Sequence, residues 1–282
     1  MALIITLIVA LLIEHIFWNA STWRQGDWFA TYYRKVLSSK ALARFTHQLS
    51  HPAWLLGPLV LLVAIGQFIL LPGLGDLLTW LFGLGALLFS LGPRNLGRDL
   101  EDYLQAQTTG QSQQANRISR YFVTHHPHPT DTDRNVKQGL LTQANDSLVG
   151  PILGFILLGA IGAVVYRAIQ YLTQMQSKQQ PGSAFARSAQ TLWYWVNWLP
   201  ARITLLGYAI VGHFDAVVST WQQQERSSRT TQDHTALLVA AGQAALAGNA
   251  ATGRASLLAH STLVKRTVLL WVIVVGIAFL GS

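Results

Sequence analysis

The feature that most constrains this chain is a set of long apolar stretches that carry almost no charge. Only the first of them contains an acidic or basic residue, Glu14. A helix needs about 20 mostly apolar residues to cross the hydrocarbon core of a bilayer. The stretches therefore predict membrane-spanning helices, and we expect the chain to form a single membrane domain over residues 1–282. The stretches are residues 1–18, 53–75, 77–93, 148–166 and 267–282.

The overall composition supports this prediction. The chain is 51% hydrophobic and 11% charged, whereas about a quarter of the residues in an ordinary soluble domain are charged. Too little charge remains to cover a water-soluble surface, and the apolar content excludes disorder. Cysteine is absent from the sequence, which excludes disulfides, thiolate metal sites and cysteine nucleophiles.

The basic residues predict the orientation in the membrane. The formal net charge is +8, but the basic residues are spread thinly, so membrane lipid is the expected partner and nucleic acid is not. Lys and Arg are frequent in residues 19–52 and 94–147 and absent from the amino terminus. The positive-inside rule places both loops in the cytoplasm. Lys265 and Arg266 precede the stretch 267–282, which should then begin inside as the C-terminal membrane helix.

This orientation requires one more crossing between residues 170 and 264. The Trp-rich segment 192–214 is the best match, and Pro200 within it predicts a broken or re-entrant helix. Arg202 would be costly in lipid unless it faced protein or water. The prediction is an all-α polytopic membrane protein with five or six membrane segments and cytoplasmic helical loops.

The polar stretches between these segments are interpreted individually. In the cytoplasmic helical loop 94–147, apolar spacing predicts one helix near 96–106 and a short one near 118–122. Residues 174–190 are interpreted as a loop, and 236–263 as a helix. The histidines 125, 126 and 128 alternate with prolines, so we interpret them as a solvated loop and predict no metal site. The Gly-rich runs at 83–92 and 154–162 predict close helix packing.

Polar residues at or near membrane depth are the candidate site residues. Such residues are rare and are usually paired or functional. Two interpretations remain open: pairs that fix helix register, or a polar pocket at the cytoplasmic membrane face. No catalytic residue is assigned. The candidate ligand-binding residues are Glu14, Arg98, Asp99, Asp146, Arg167, Asn197 and Arg202.

Three stretches together resemble a known family. They are the apolar helix 7–14, which ends in Glu14, the run 150–168 with its Tyr-Arg pair, and the run 196–204 with its Pro-Ala-Arg element. They resemble the AmpE proteins of the Gram-negative inner membrane. The resemblance implies a regulatory protein tied to β-lactamase induction and linked to peptidoglycan recycling.

The same stretches are similar, more distantly, to the adenosylcobinamide-phosphate synthases of the CobD/CbiB group. That likeness implies ATP-dependent joining of an amine to a corrin carboxylate. Asp146 stands five residues before Pro151, as in that group, but Thr142 and Gln143 occupy the places of an expected Glu and Asn. Such chemistry needs carboxylates that hold Mg²⁺. ATP with Mg²⁺ is therefore implied as a cofactor only if ligase activity is retained.

The sequence thus leaves three functions to weigh. The first is AmpE-like modulation of β-lactamase induction through binding of a cell-wall fragment or another small anionic ligand. The second is an amide ligase of the synthase type. The third, a muropeptide transporter, is disfavoured because no inverted repeat is recognisable. Formation of a homo-oligomer is left open.

Overall fold

The computed structural model shows an all-helical protein. It describes residues 2–16, 27–38, 53–70, 73, 75–92, 96–122, 131–179, 182–227, 234–248 and 251–280. Throughout these ranges no β-strand occurs, which confirms the predicted all-α class.

The helices are numbered in chain order. Two π-helical turns accompany them, Gly66–Leu70 after the third helix and Asn145–Val149 after the seventh. The helices are α1 (Ala2–Ile16), α2 (Asp27–Ser38), α3 (Ala53–Ile65), α4 (Asp76–Ser90), α5 (Leu96–Thr108), α6 (Ser112–Phe122), α7 (Thr132–Ala144), α8 (Gly150–Leu158), α9 (Ala160–Gln179), α10 (Ala184–Val211), α11 (Phe214–Ser227), α12 (His234–Ala245) and α13 (Gly253–Leu280).

The chain, expected to form one domain, divides into two compact units. The first unit contains residues 1–93 and 150–197, and the second contains residues 94–149 and 198–282. The first unit has a core in which Phe29, Leu55 and Leu172 are buried. The second unit has two buried clusters, one around Leu205 and Tyr208 and one that joins α5, α6 and α7.

Several predicted boundaries are wrong. Residues 174–190 are mostly helical, because α9 continues to Gln179 and α10 begins at Ala184. Helix α10 also continues through Pro200, where a break was expected. The last helix begins at Gly253, so Lys265 and Arg266 lie within it. The segment 148–166 is interrupted at Gly159, where the backbone adopts a φ of 65°; this left-handed conformation favours glycine.

Two helical stretches in the described part of the chain have the length and composition to cross a membrane. They are Thr132–Leu158 and Gly253–Ala278, and shorter apolar helices are Trp54–Ile69 and Asp76–Ser90. Large apolar side chains on these helices are exposed, among them Phe68 and Ile277. Exposed apolar side chains of this kind suit contact with lipid or with another protein. The number of membrane segments, five or six, stays a prediction.

Helices α8 and α9 form a hairpin in which the two backbones approach closely. A Cβ atom added at Gly154 would lie 2.7 Å from the Gly162 carbonyl oxygen. Only glycine permits such an approach, as in other tightly packed membrane helices. The close packing predicted for 154–162 is confirmed. In the other run, Gly83 makes only ordinary contact with Phe155, and a Cβ at Gly85 would meet nothing within 4 Å.

The Gln67 side chain, in the π-helical turn after α3, hydrogen-bonds to the backbone on both sides of the break between α8 and α9. The Gln67 amide Nε2 donates to the Leu158 carbonyl at 3.4 Å. Its Oε1 accepts a hydrogen bond from the backbone N–H of Ile161 at 3.2 Å. One amide group thus satisfies a carbonyl and an N–H on opposite sides of the interruption.

A buried tyrosine joins α5 to the start of α7. The Tyr103 hydroxyl donates to Asp133 Oδ1 at 2.6 Å, and Gln107 Nε2 donates to the same oxygen at 2.7 Å. Tyr103 has no exposed surface. Burial, together with the hydrogen bond to Asp133, raises the pKa of Tyr103 above its ordinary value.

We expect Tyr103→Phe to lower the free energy of unfolding by about 1–2 kcal/mol, because Asp133 loses a donor. The pKa of Tyr103 is higher in the folded state than in the unfolded state. Its contribution to the free energy of unfolding is therefore fully present below the ordinary pKa of 10.0 and is lost as the pH rises through the folded-state pKa. Denaturation followed by circular dichroism in detergent, as a function of pH, measures both effects. Tyr121→Phe, at an exposed tyrosine, is the control. Equal stability of the two variants would contradict the assignment.

Candidate functional site

Arg167 is the most deeply buried charged side chain in the described residues of the first unit. It lies on α9 with 2% of its surface exposed. Its Nε donates to the Ser90 carbonyl at 2.7 Å, and its Nη1 donates to Gln170 Oε1. Ser90 is the last residue of α4, where carbonyls lack intrahelical partners and the helix dipole favours a cation. The guanidinium carbon also lies 5.6 Å from the Tyr171 ring centroid.

Buried polar residues form a line along one face of α9, which we call the polar stripe. Its members are Arg167, Gln170, Thr173 and Gln176. Residues three apart share a helix face. Thr173 Oγ1 donates to the Ile169 carbonyl at 2.9 Å, and Gln176 Nε2 donates to the Tyr33 hydroxyl at 3.0 Å. Sequence reasoning missed the stripe because it interpreted residues from 174 onward as a loop, although the three-residue spacing was visible.

Asn197 is held by the residue next to Arg167. The Tyr166 hydroxyl donates to Asn197 Oδ1 at 2.8 Å, deep in the first unit. The Tyr166 ring lies 5.2 Å from the Trp193 ring, between centroids. A Cβ added at Gly150 would overlap the Tyr166 ring, so glycine makes room for it. The Tyr-Arg pair thus directs two adjacent side chains to two different sets of partners.

In the second unit, Asp146 belongs to a hydrogen-bonded network on the π-helical turn. Asn145 Nδ2 donates to Asp146 Oδ1 at 2.9 Å, and Thr204 Oγ1 donates to Asn145 Oδ1 at 2.9 Å. The widened turn ends at Val149, two residues before Pro151. It contains the carbonyl four residues before Pro151, with which the proline ring would clash in a regular helix. Sequence reasoning selected Asp146 and missed Asn145, which is fully buried.

Arg202 lies on α10 in the second unit, and its partly buried side chain reaches Glu225 on α11. Its Nη2 is 3.4 Å from Glu225 Oε1, and the two side chains are 16% and 55% exposed. The guanidinium carbon is 4.3 Å from the Trp198 ring centroid. The indole N–H of Trp221 donates to the same Glu225 oxygen at 2.8 Å. Arg202 therefore faces protein groups, as its cost in lipid requires.

The remaining predicted residues are placed as follows. Arg98 and Asp99 lie on α5, where Arg98 is exposed and Asp99 lines a groove. Glu14 lies in α1, but its side chain falls outside the described residues, as do the three histidines at 125, 126 and 128. The first unit thus contains Arg167 and Asn197, and the second contains Arg98, Asp99, Asp146 and Arg202. Over the described ranges, no group of three or more His, Asp or Glu residues is arranged to hold a metal ion.

The apolar helices, with large apolar side chains at their surface, point to a helical membrane protein as the class of this chain. A family described as the regulatory signalling modulator protein AmpE matches residues 1–281. The chain therefore belongs to the AmpE family, which confirms the resemblance inferred from its three sequence stretches.

Curated relatives come from cobalamin biosynthesis, which confirms the more distant likeness. The cobalamin biosynthesis protein CobD of Stutzerimonas stutzeri is 27% identical over 61% of this chain and 57% of its own length. The probable CobD of Pyrococcus furiosus is 28% identical over 56% of this chain and 57% of its own length. The CobD of Desulfotalea psychrophila is 36% identical over 36% of this chain and 32% of its own length. The chain spans little more than half the length of the first two relatives. No solved structure matches.

Proposed function

We propose that this chain is a multi-pass inner-membrane protein that modulates β-lactamase induction in connection with peptidoglycan recycling. It would act by binding a cell-wall fragment or another small anionic ligand near the cytoplasmic membrane face. The observation that carries the proposal is the family match over residues 1–281. The apolar helices are consistent with a membrane location.

Arg202 has the surroundings that suit an anion-binding group. Its guanidinium rests on the Trp198 ring and is partly exposed. The carboxylate of Glu225 is half-exposed and lies at the long distance of 3.4 Å, and such surface ion pairs contribute little stability. An incoming carboxylate or phosphate can therefore replace Glu225 and bind the guanidinium through two parallel hydrogen bonds.

The test is β-lactamase induction in a strain that lacks this protein, complemented with wild type or with Arg202→Ala. We expect wild type to restore normal modulation, and Arg202→Ala at equal membrane abundance to lose it. Arg187→Ala is the matched control, because Arg187 is an exposed arginine on the same helix. Normal induction with Arg202→Ala would overturn the ligand site, and normal induction without the protein would overturn the function.

An ATP-dependent amide ligase is the second candidate, favoured by the CobD relatives. The residues present do not fit its metal requirement. Thr142 Oγ1 donates to the Gln138 carbonyl at 3.0 Å, and Gln143 Nε2 donates to the Phe122 carbonyl at 2.7 Å. Thr142 thus bonds within its own helix and Gln143 joins α7 to the end of α6, so neither of the two positions offers a carboxylate to Mg²⁺. Hydrolysis of Mg²⁺–ATP by purified protein, stimulated by a corrinoid, would reverse this preference for the regulatory function.

A further inference from the structure

We propose that a groove in the second unit, between α5 and α6, binds a small zwitterionic molecule of the amino acid or short-peptide class. The groove has a volume of about 990 Å³, which matches the upper end of the range of about 300–1,000 Å³ for small-molecule sites. Its lining is mixed, and its polar side chains include both charge signs, as the residues Asp99, Asp102, Ser112, Gln114, Arg117 and Tyr121 illustrate.

The two walls of the groove carry opposite charges. Asp99 and Asp102 lie three residues apart on α5 and therefore share a helix face, whereas Arg117 lies on α6. The Arg117 Nε donates to the Tyr121 hydroxyl at 3.3 Å on its own helix. In the part of the chain that the structure describes, Asp102 makes neither a hydrogen bond nor an ion pair. Asp102 on the acidic wall and the terminal nitrogens of Arg117 on the basic wall are thus available to two ends of one ligand.

This charge arrangement selects among ligand classes. A simple anion would be repelled by the two carboxylates, and a simple cation would leave Arg117 without an anionic partner. A molecule with an ammonium group at one end and a carboxylate at the other satisfies both walls, and the guanidinium can bind the carboxylate through two hydrogen bonds. The side-chain amides between the walls offer donors and acceptors to peptide groups.

The two helices that form the walls pack on one buried core, and a specific site needs such support. Tyr103, next to Asp102, is fully buried and hydrogen-bonded to Asp133. On α6, Ala115 and Phe122 are buried in the same cluster as Tyr103. The two helices that carry Asp102 and Arg117 are therefore joined by the core beneath the groove.

The experiment is calorimetric titration of the full-length protein in detergent with the dipeptide alanyl-alanine. Its N-acetylated and C-amidated forms are titrated in parallel. We expect the free dipeptide to bind, and each blocked form to bind about tenfold more weakly, because one charged hydrogen bond is lost. Asp102→Asn should weaken binding of the free dipeptide but not of the N-acetylated form, and Arg117→Gln should weaken the free form but not the amidated one.

Each tested residue has a matched control on the same helix. Glu101→Gln and Arg120→Gln remove exposed charges on the same two helices without altering the groove lining. Both control variants should bind the dipeptide as wild type does, and a circular dichroism spectrum checks that every variant is folded. Absence of binding to wild type at about 1 mM dipeptide, or equal losses in the control and groove variants, would overturn the proposal.

Discussion

Gly162→Val is expected to separate the α8–α9 hairpin and to lower the free energy of unfolding of the protein. A Cβ at Gly162 would lie 2.6 Å from the Gly154 carbonyl carbon and 2.9 Å from the Leu158 Cβ. The carbonyl carbon belongs to the backbone, which cannot rotate away, so the two helices must move apart. Overpacking of this kind costs about 1–3 kcal/mol and occasionally more. Chemical denaturation in detergent measures the loss.

Gly85→Val is the matched control for this prediction. Gly85 also lies within an apolar helix, α4, but a Cβ there would meet nothing within 4 Å. The control therefore makes the same glycine-to-valine change in helix propensity without the backbone overlap. We expect it to lower the free energy of unfolding only slightly. If both variants unfold at the same denaturant concentration, the close approach of α8 and α9 does not contribute to stability.

Arg167→Ala is the second substitution with a large expected effect. It leaves the buried Ser90 carbonyl and the Gln170 amide without the partner they have now, and it creates a cavity in a packed interior. Together these effects should lower the free energy of unfolding by about 3–5 kcal/mol. Detergent denaturation measures the change.

Arg167→Lys distinguishes charge from geometry. Lysine keeps the positive charge but lacks the planar fork that reaches the Ser90 carbonyl and Gln170 together, so we expect an intermediate loss. Arg187→Ala, at an exposed arginine, should be close to wild type. Wild-type stability of Arg167→Ala would show that the buried contacts are not required by the fold.

The sequence predicted those features that depend on local pattern. Long uncharged stretches predicted helices, and the glycines of 154–162 predicted close helix packing. The hairpin of α8 and α9 was not predicted, because 148–166 was interpreted as one segment. Pro200 was misleading, because loss of one backbone hydrogen bond does not break a helix whose neighbours supply other support. The loop predicted over 174–190 was wrong because Thr173 and Gln176 find hydrogen-bond partners that no local pattern reveals.

The hydrogen-bond partners of the candidate site residues could not be predicted from the sequence, for a related reason. Arg167 donates to a carbonyl 77 positions away in the chain, and Thr204 to an amide oxygen 59 positions away. Rarity at membrane depth identified the charged residues, but it carries no information about their contacts. Whether these residues bind one ligand stays a proposal.

The contact of Gln67 with the interruption at Gly159 has a consequence for biogenesis. An unsatisfied carbonyl or N–H is costly in hydrocarbon, and Gln67 supplies the partner for both from 91 residues upstream of the carbonyl. Because synthesis proceeds from the amino terminus, this amide is made well before the ribosome reaches α8. The α8–α9 hairpin, which is synthesised later, can then pack beside a segment that already carries the hydrogen-bonding amide for its interrupted backbone. The order of synthesis therefore favours correct assembly of the first unit.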